Sequence, residues 1–225
     1  ASVMTVSYRF VVVATLFVTC LITANIIIVK QISIGNLVLP AAIIIFPLSY
    51  IFGDILTEVY GFQQARRIIW LGFLCNLVAV VAIWVGKLLP SAPVFEAQQA
   101  YERILGSTPR FLVASFVAYL AGEFANSFVL AKMKVKTKGR WLWMRTIGST
   151  LVGQGVDTFI VLSIAFLGVL PLSVLGIMIL SHWLLKTVYE VLATPFTYIV
   201  VNYLKKKEGI DVYDYATNFN PLHVV

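Results

Sequence analysis

The chain has 225 residues, of which 60% are hydrophobic and 12% are charged, and its mean hydropathy is +0.92. Because soluble domains carry about 25% charged residues, this composition excludes an ordinary water-soluble domain and indicates an integral membrane protein. The formal net charge of +7 would also suit a nucleic-acid-binding protein, but the basic residues lie in short loops beside apolar segments. Without interleaved aromatic residues to contact bases, these loops predict no nucleic-acid partner.

Six apolar segments divide the chain. A helix needs about 20 residues to cross the roughly 30 Å of hydrocarbon in a bilayer, and each segment is long enough. The segments cover 10–29, 39–59, 68–88, 111–131, 147–170 and 172–203. We predict an all-α membrane protein in which six transmembrane helices form one bundle, with 1–225 as a single integral membrane domain. Its two cysteines lie within these segments and form no disulfide or metal pattern, so no metal or cofactor is predicted.

The loop charges predict the orientation of the bundle. Twelve Lys and Arg residues fall on one side of the six segments and four on the other. Such an excess marks the cytoplasmic side, so we expect both termini to be cytoplasmic and 204–225 to form a cytoplasmic tail. The outer loop 89–109 mixes charged and apolar residues, which predicts a short helix at the membrane interface.

The second segment contains two carboxylates, Asp54 and Glu58, four residues apart and therefore on one helix face. A carboxylate inside a membrane is costly, so its presence favours a binding site or a transport pathway. Asp54 lies about 10 Å from the cytoplasmic end of the segment, by the rise of an α-helix. We expect Asp54 to face a cavity, and we expect Glu58 to reach water near Arg66 and Arg67.

Three later segments carry further polar residues at helical spacing. Residues three or four positions apart share a face of a helix, so each group is expected to face a single neighbour. Within these groups we expect Lys186 to pair with Glu190, because the two are one turn apart. The remaining acids must be protonated, face a wet cavity or contact a partner rich in N–H donors. The groups are Glu123 with Asn126, Gln154 with Asp157, and His182 with Lys186 and Glu190.

Four runs of residues carry a resemblance to a known family. The sequence resembles the queuosine precursor transporter family, also called the vitamin uptake transporter family, over nearly its whole length. Several motifs in the family's order are more specific than any one of them alone. The matching residues are FPLSY, GD, TE, YG and AR at 46–66, GS, GQ and DT at 148–158, KxxYE and TP at 186–195, and DxYD and TNFNP at 211–221.

The resemblance implies a six-helix importer of the bacterial inner membrane that takes up 7-deazaguanine bases, the precursors of a modified tRNA nucleoside. Its fold would resemble the substrate-binding components of energy-coupling-factor transporters. A guanine-like base presents N–H donors to a carboxylate and a carbonyl to an amide. Its flat faces suit aromatic side chains. The ten expected substrate-binding residues are Phe46, Tyr50, Asp54, Glu123, Asn126, Gln154, Asp157, Trp183, Lys186 and Glu190.

Within this set, the roles stay open between pairs of residues. Asp157 or Glu123 would hold the donor edge of the base, and Gln154 or Asn126 would hold its carbonyl edge. Asp54 would bind the remaining polar substituent. A precursor with an aminomethyl group would also relieve the excess of acids, because it is a cation, whereas a cyano precursor would not.

Three other functions compete with this interpretation. A proton-coupled transporter of another small solute or vitamin would use the same buried acids as proton relays. A binding subunit could work only together with an ATPase partner. An intramembrane enzyme would need a nucleophile or a metal set, and His182 alone is a poor candidate for either, so we predict no enzymatic activity. Small residues on several helix faces would also allow a homodimer.

Overall fold

Helices form almost the whole structure. The computed structural model describes residues 7–34, 37–106 and 109–223. Within these ranges, six helical segments are long and apolar enough to cross a membrane, which confirms the predicted all-α bundle. The helices are α1 (Tyr8–Ile27), α2 (Phe46–Tyr60), α3 (Phe62–Leu88), α4 (Gln98–Leu105), α5 (Pro109–Lys136), α6 (Leu142–Phe166) and α7 (Leu172–Glu208).

The entry into α2 differs from the predicted segment 39–59. An antiparallel hairpin, β1 (Gln31–Ile34) and β2 (Leu37–Pro40), precedes a short 3₁₀ turn at Ala41–Ile44. α2 then begins with Pro47 in its first turn, where a missing backbone N–H costs nothing. With fifteen residues, α2 is about 22 Å long. The 3₁₀ turn therefore completes a crossing that α2 is too short to make by itself.

Helix α2 lies at the centre of the bundle. Twelve of its fifteen residues are buried, including both acids of the second segment. By contrast, α3 and α7 expose large apolar residues such as Val78, Leu192 and Ile199, as helices that face lipid do. The carboxylates of α2 are therefore enclosed by protein rather than by lipid.

The two ends of the bundle are different. One end carries the hairpin and α4, which lies inside the predicted outer loop. The other end brings together the start of α1 and the end of α7, where Arg9 and Glu208 form a salt bridge of 3.2 Å. The segment 209–223 folds back against this second end, where the Asp214 carboxylate accepts from the backbone N–H of Phe62 at 3.0 Å. Its assignment to the cytoplasm remains a prediction.

Candidate functional site

A cavity of about 570 Å³ lies between α1, α5, α6, α7 and the start of α2. Arg103 and Ile104 of α4 contribute to its lining, so the cavity lies toward the hairpin end of the bundle. Three of the ten predicted substrate-binding residues line it, namely Phe46, Asp157 and Lys186. The cavity is the candidate functional site.

Lys186 organises the polar wall of this cavity. Its ammonium nitrogen donates to Oδ2 of Asp157 at 2.9 Å and to Oγ1 of Thr158 at 3.3 Å. The same nitrogen lies 4.4 Å from the centroid of the Phe46 ring. The predicted pairing of Lys186 with Glu190 is wrong, because Lys186 reaches across to α6 rather than along its own helix. The wall thus places a carboxylate, an ammonium group and an aromatic face side by side.

Four further polar residues of the lining were not among the predicted ones. Asn25 donates to Oδ1 of Asn76 at 3.0 Å and lies 3.5 Å from Oγ of Ser115. The Tyr119 hydroxyl donates to the backbone carbonyl of Ile69 at 2.9 Å, and His182 adds an imidazole. Asn25 is the one amide in the first segment, and this signal could have identified it from the sequence.

Six of the predicted residues form a second polar layer beneath the cavity, which we call the deep layer. Each has at most 1% of its surface exposed, and none of the six is part of the cavity lining. One hydrogen bond connects two of them, from the amide of Asn126 to Oδ1 of Asp54 at 2.7 Å. The structure thus separates these residues from the predicted shared site. The members of the deep layer are Tyr50, Asp54, Glu123, Asn126, Gln154 and Glu190.

Close helix packing joins the deep layer to the cavity wall. A Cβ atom placed on Gly122 of α5 would lie 2.6 Å from the Tyr50 hydroxyl and 2.8 Å from Cβ of Asp157. The Tyr50 ring in turn lies 5.8 Å from the Phe46 ring, measured between centroids. Glycine at 122 is therefore required for α5 to pack between a cavity residue and a residue of the deep layer.

The remaining predicted residue, Trp183, contacts α6 instead. Its indole N–H donates to the backbone carbonyl of Leu151 at 2.9 Å, and the ring covers Gly155. The lining of the cavity does not include it. Its part in substrate binding is unsupported by this geometry.

Glu58 lies at the opposite end of α2 from the cavity. The prediction that it reaches water beside Arg66 and Arg67 is wrong, because its side chain is fully buried. Arg145 binds both of its carboxylate oxygens, at 2.7 and 2.8 Å, and Lys205 binds Oε1 at 2.5 Å. Arg66 instead donates to backbone carbonyls of the tail. We call Glu58, Lys134, Arg145, Lys205 and Asp211 the basal ion cluster.

Comparison with known proteins decides the family. The family model described as "Putative vitamin uptake transporter" matches residues 40–200. The chain belongs to this family. The match confirms the resemblance found in the sequence, and it covers the cavity wall and the deep layer together. With its six membrane-spanning segments, this member of the family is a multi-pass transporter of the bacterial inner membrane.

Two curated proteins are similar to this chain in sequence. A protein of Bacillus subtilis (strain 168) named "Probable queuosine precursor transporter" is 31% identical over 179 residues, which are 79% of this chain and 78% of the relative. A protein of Haemophilus influenzae with the same name is 29% identical over 122 residues, which are 54% of this chain and 49% of that relative. No solved structure matches the chain.

Proposed function

We propose that this protein imports queuosine precursors of the 7-deazaguanine class and binds them in the cavity beside Asp157 and Lys186. The names of the two relatives support the substrate class. The observation that carries the proposal is the polar wall, where a carboxylate and an ammonium group lie 2.9 Å apart next to the Phe46 ring. The cavity volume of about 570 Å³ lies within the range of about 300–1,000 Å³ that is usual for small-molecule sites.

Each part of a guanine-like base has a partner in this wall. The ring N–H and the exocyclic amine donate in parallel, and the two oxygens of the Asp157 carboxylate accept from such a pair. The carbonyl beside them accepts from the ammonium group of Lys186. The ring itself stacks on Phe46, whose face contributes apolar contact.

The charges of the lining favour a neutral precursor over a cationic one. Arg103 and Lys186 are positive and Asp157 is the one carboxylate in the lining, so the described part of the cavity carries an excess of positive charge. An aminomethyl substituent is protonated at neutral pH and would add a further positive charge. We therefore propose that a 7-cyano base binds more tightly than a 7-aminomethyl base.

Direct binding to detergent-purified protein tests the proposal. The panel contains the 7-cyano base, the 7-aminomethyl base and guanine. Loss of a charge-assisted pair costs about 1.5–3 kcal/mol, so Asp157→Asn is expected to weaken binding by about tenfold to a hundredfold. Glu96→Gln changes an exposed acid in the same way and serves as the matched control.

Two results would contradict different parts of this proposal. Normal affinity of Asp157→Asn would show that the base binds elsewhere. Absence of binding of any deazaguanine to well-folded wild-type protein would remove the substrate class itself. A bound base that is recovered chemically unchanged after transport supports import without catalysis.

The direction of transport is a separate part of the proposal. We propose that the end with the basal ion cluster faces the cytoplasm, because that end carries the excess of Lys and Arg. The cavity would then open outward in this structure. A reporter fused to the C-terminus that is active only in the cytoplasm tests this orientation, and activity of a reporter restricted to the outside would contradict it. Formation of a homodimer remains a prediction from the small residues on the helices.

A further inference from the structure

The buried acids of this protein fall into two classes. Glu58 is fully buried and contacts Arg145, Lys134 and Lys205, and Asp157 contacts Lys186. Asp54, Glu123 and Glu190 of the deep layer are equally buried, but no ion pair to a basic side chain is formed by them among the described residues. The acids of both classes are buried, so the two classes differ only in whether a basic side chain lies next to the carboxylate.

The unpartnered atoms of the deep layer are almost all hydrogen-bond acceptors. Both carboxylate oxygens of Glu123 and of Glu190, and Oδ2 of Asp54, have no hydrogen-bond partner among the described residues. The side-chain oxygens of Asn126 and Gln154 also lack a hydrogen-bond partner, and the Tyr50 hydroxyl, likewise unpartnered, adds one potential donor. Seven buried acceptors against one hydroxyl form a cluster that lacks donors, and buried polar groups without partners are rare in folded proteins.

The groups around the deep layer increase the cost of negative charge. Asp54 lies in electrostatic range of Glu58, Glu123 and Glu190, and Glu123 lies in range of Asp157. A buried carboxylate without a cation costs several kcal/mol, and neighbouring carboxylates raise that cost. The charged and titratable groups outside the layer that interact electrostatically with its members are Glu58 of α2, Tyr119 of α5 and Asp157 of α6.

We propose that the deep layer is a proton-binding site and that protons held on Asp54, Glu123 and Glu190 cross the membrane together with the substrate. A protonated carboxyl group is a donor as well as an acceptor, so each bound proton supplies a donor to this acceptor cluster. Among the described residues, no group of three His, Cys, Asp or Glu side chains is placed to hold one metal ion.

The deep layer lies between the cavity wall and the basal ion cluster and is covered on both sides in this structure. Above it, Tyr50 and Gly122 separate it from Asp157 in the cavity wall. Below it, the Thr57 hydroxyl lies one turn from Asp54 and donates to Oγ of Ser127 at 3.1 Å, and the basal ion cluster follows. In the proposed cycle, protons enter from the cavity side, where Tyr50 and Gly122 lie between the layer and Asp157, and leave when the basal end opens to water. Because a neutral base then travels with at least one proton, import moves net positive charge.

The first experiment needs no substrate. Infrared spectra of purified protein at neutral pH are expected to contain the C=O stretch of protonated carboxyl groups. Glu123→Gln and Glu190→Gln are each expected to remove part of this band, whereas Asp157→Asn is expected to leave it unchanged, because the Lys186 ammonium lies 2.9 Å from the Asp157 carboxylate and compensates its charge. A wild-type spectrum without the band would overturn the proposal whether or not the protein binds a deazaguanine.

The second experiment rests on the proposed import function. Wild-type protein in liposomes that contain a pH-sensitive dye is expected to acidify the lumen when the 7-cyano base is added outside. Glu123→Gln and Glu190→Gln are expected to bind this base within about threefold of wild type, a change below 1 kcal/mol. Each variant is expected to lose most of the substrate-driven acidification. Size-exclusion profiles confirm that both variants are folded.

The outcomes separate the two proposals. If binding in detergent fails for every base, the proposed substrate is wrong, while the infrared result still decides the proton site. If the base is transported without acidification of the lumen, or if accumulation follows a sodium gradient instead of a proton gradient, the deep layer does not carry the coupling protons.

Discussion

Replacing Glu58 by Gln changes the charge balance of the basal ion cluster without changing its shape. Both carboxylate oxygens bind Arg145, at 2.7 and 2.8 Å, and Glu58 and Arg145 are each at most 1% exposed. Glu58→Gln leaves Arg145, Lys134 and Lys205 opposed only by Asp211, whose side chain is 41% exposed. Removing one partner of a buried ion pair costs about 3–5 kcal/mol, because the other charge stays buried.

Thermal unfolding of the detergent-purified protein measures this cost. For a chain of this length, about 2–4 °C of melting temperature corresponds to 1 kcal/mol, so Glu58→Gln is expected to melt about 6–20 °C below wild type. Glu208→Gln is the matched control, because its partner Arg9 is 42% exposed and an exposed pair contributes about 0–1 kcal/mol.

A double variant separates charge from shape. Glu58→Gln combined with Arg145→Met removes both charges of the pair, so the double variant is expected to recover part of the loss. The reasoning is refuted if Glu58→Gln has the same melting temperature as Glu208→Gln. It is also refuted if the double variant loses as much stability as Glu58→Gln and Arg145→Met lose in sum.

Three further changes test other contacts. Gly122→Ala places a Cβ 2.6 Å from the nearest side-chain atom and is expected to weaken both stability and base binding, whereas Gly176→Ala, with nothing within 4 Å, is expected to weaken neither. Asp214→Ala removes the acceptor for the backbone N–H at the start of α3 and is expected to cost about 1 kcal/mol, measured as a lower melting temperature; an unchanged value would contradict the cap. Burial would raise the pKa of Asp211, but hydrogen bonds from two lysines lower it overall. Its contribution to stability is therefore present above the unfolded pKa of about 4 and lost as the pH falls through the lower folded value. Asp211→Asn should reduce this acid sensitivity in melting curves at graded pH, and an unchanged pH profile would contradict the lysine contacts.

Helix spacing predicted which polar residues share a face, and His182 and Lys186 of one such group both line the cavity, whereas Gln154 and Glu190 lie in the deep layer. Asp157 and Lys186 were both expected to bind substrate, and they meet across α6 and α7 at 2.9 Å. The predicted ion-pair partner of Lys186 was wrong, because spacing along one helix favoured Glu190 as its partner. A lysine side chain is long enough to reach either neighbour, and only the packing of α6 against α7 decides between them.

The distance of a residue from the end of its apolar segment predicted its exposure to water less well. Glu58 was expected near water because it lies one turn from the end of the segment, but the folded tail covers that end. The tail places Asp211 within 2.5 Å of Lys134 and provides the carbonyls that bind Arg66. Contacts between residues about 80 to 150 positions apart leave no local pattern in a sequence.

The sequence by itself determined the membrane location, the number of membrane-spanning helices and the identity of the polar residues within them. These follow from composition and from periodicity along single helices, because hydrocarbon excludes unpaired polar backbone and makes each charge conspicuous. Only the tertiary structure decided which acid has a cation beside it. Glu58 and Asp157 are compensated, whereas Asp54, Glu123 and Glu190 are not. The reason is that compensation depends on which helices meet, and in this bundle Gly122 and Gly153 let α5 and α6 approach closely enough to enclose the deep layer.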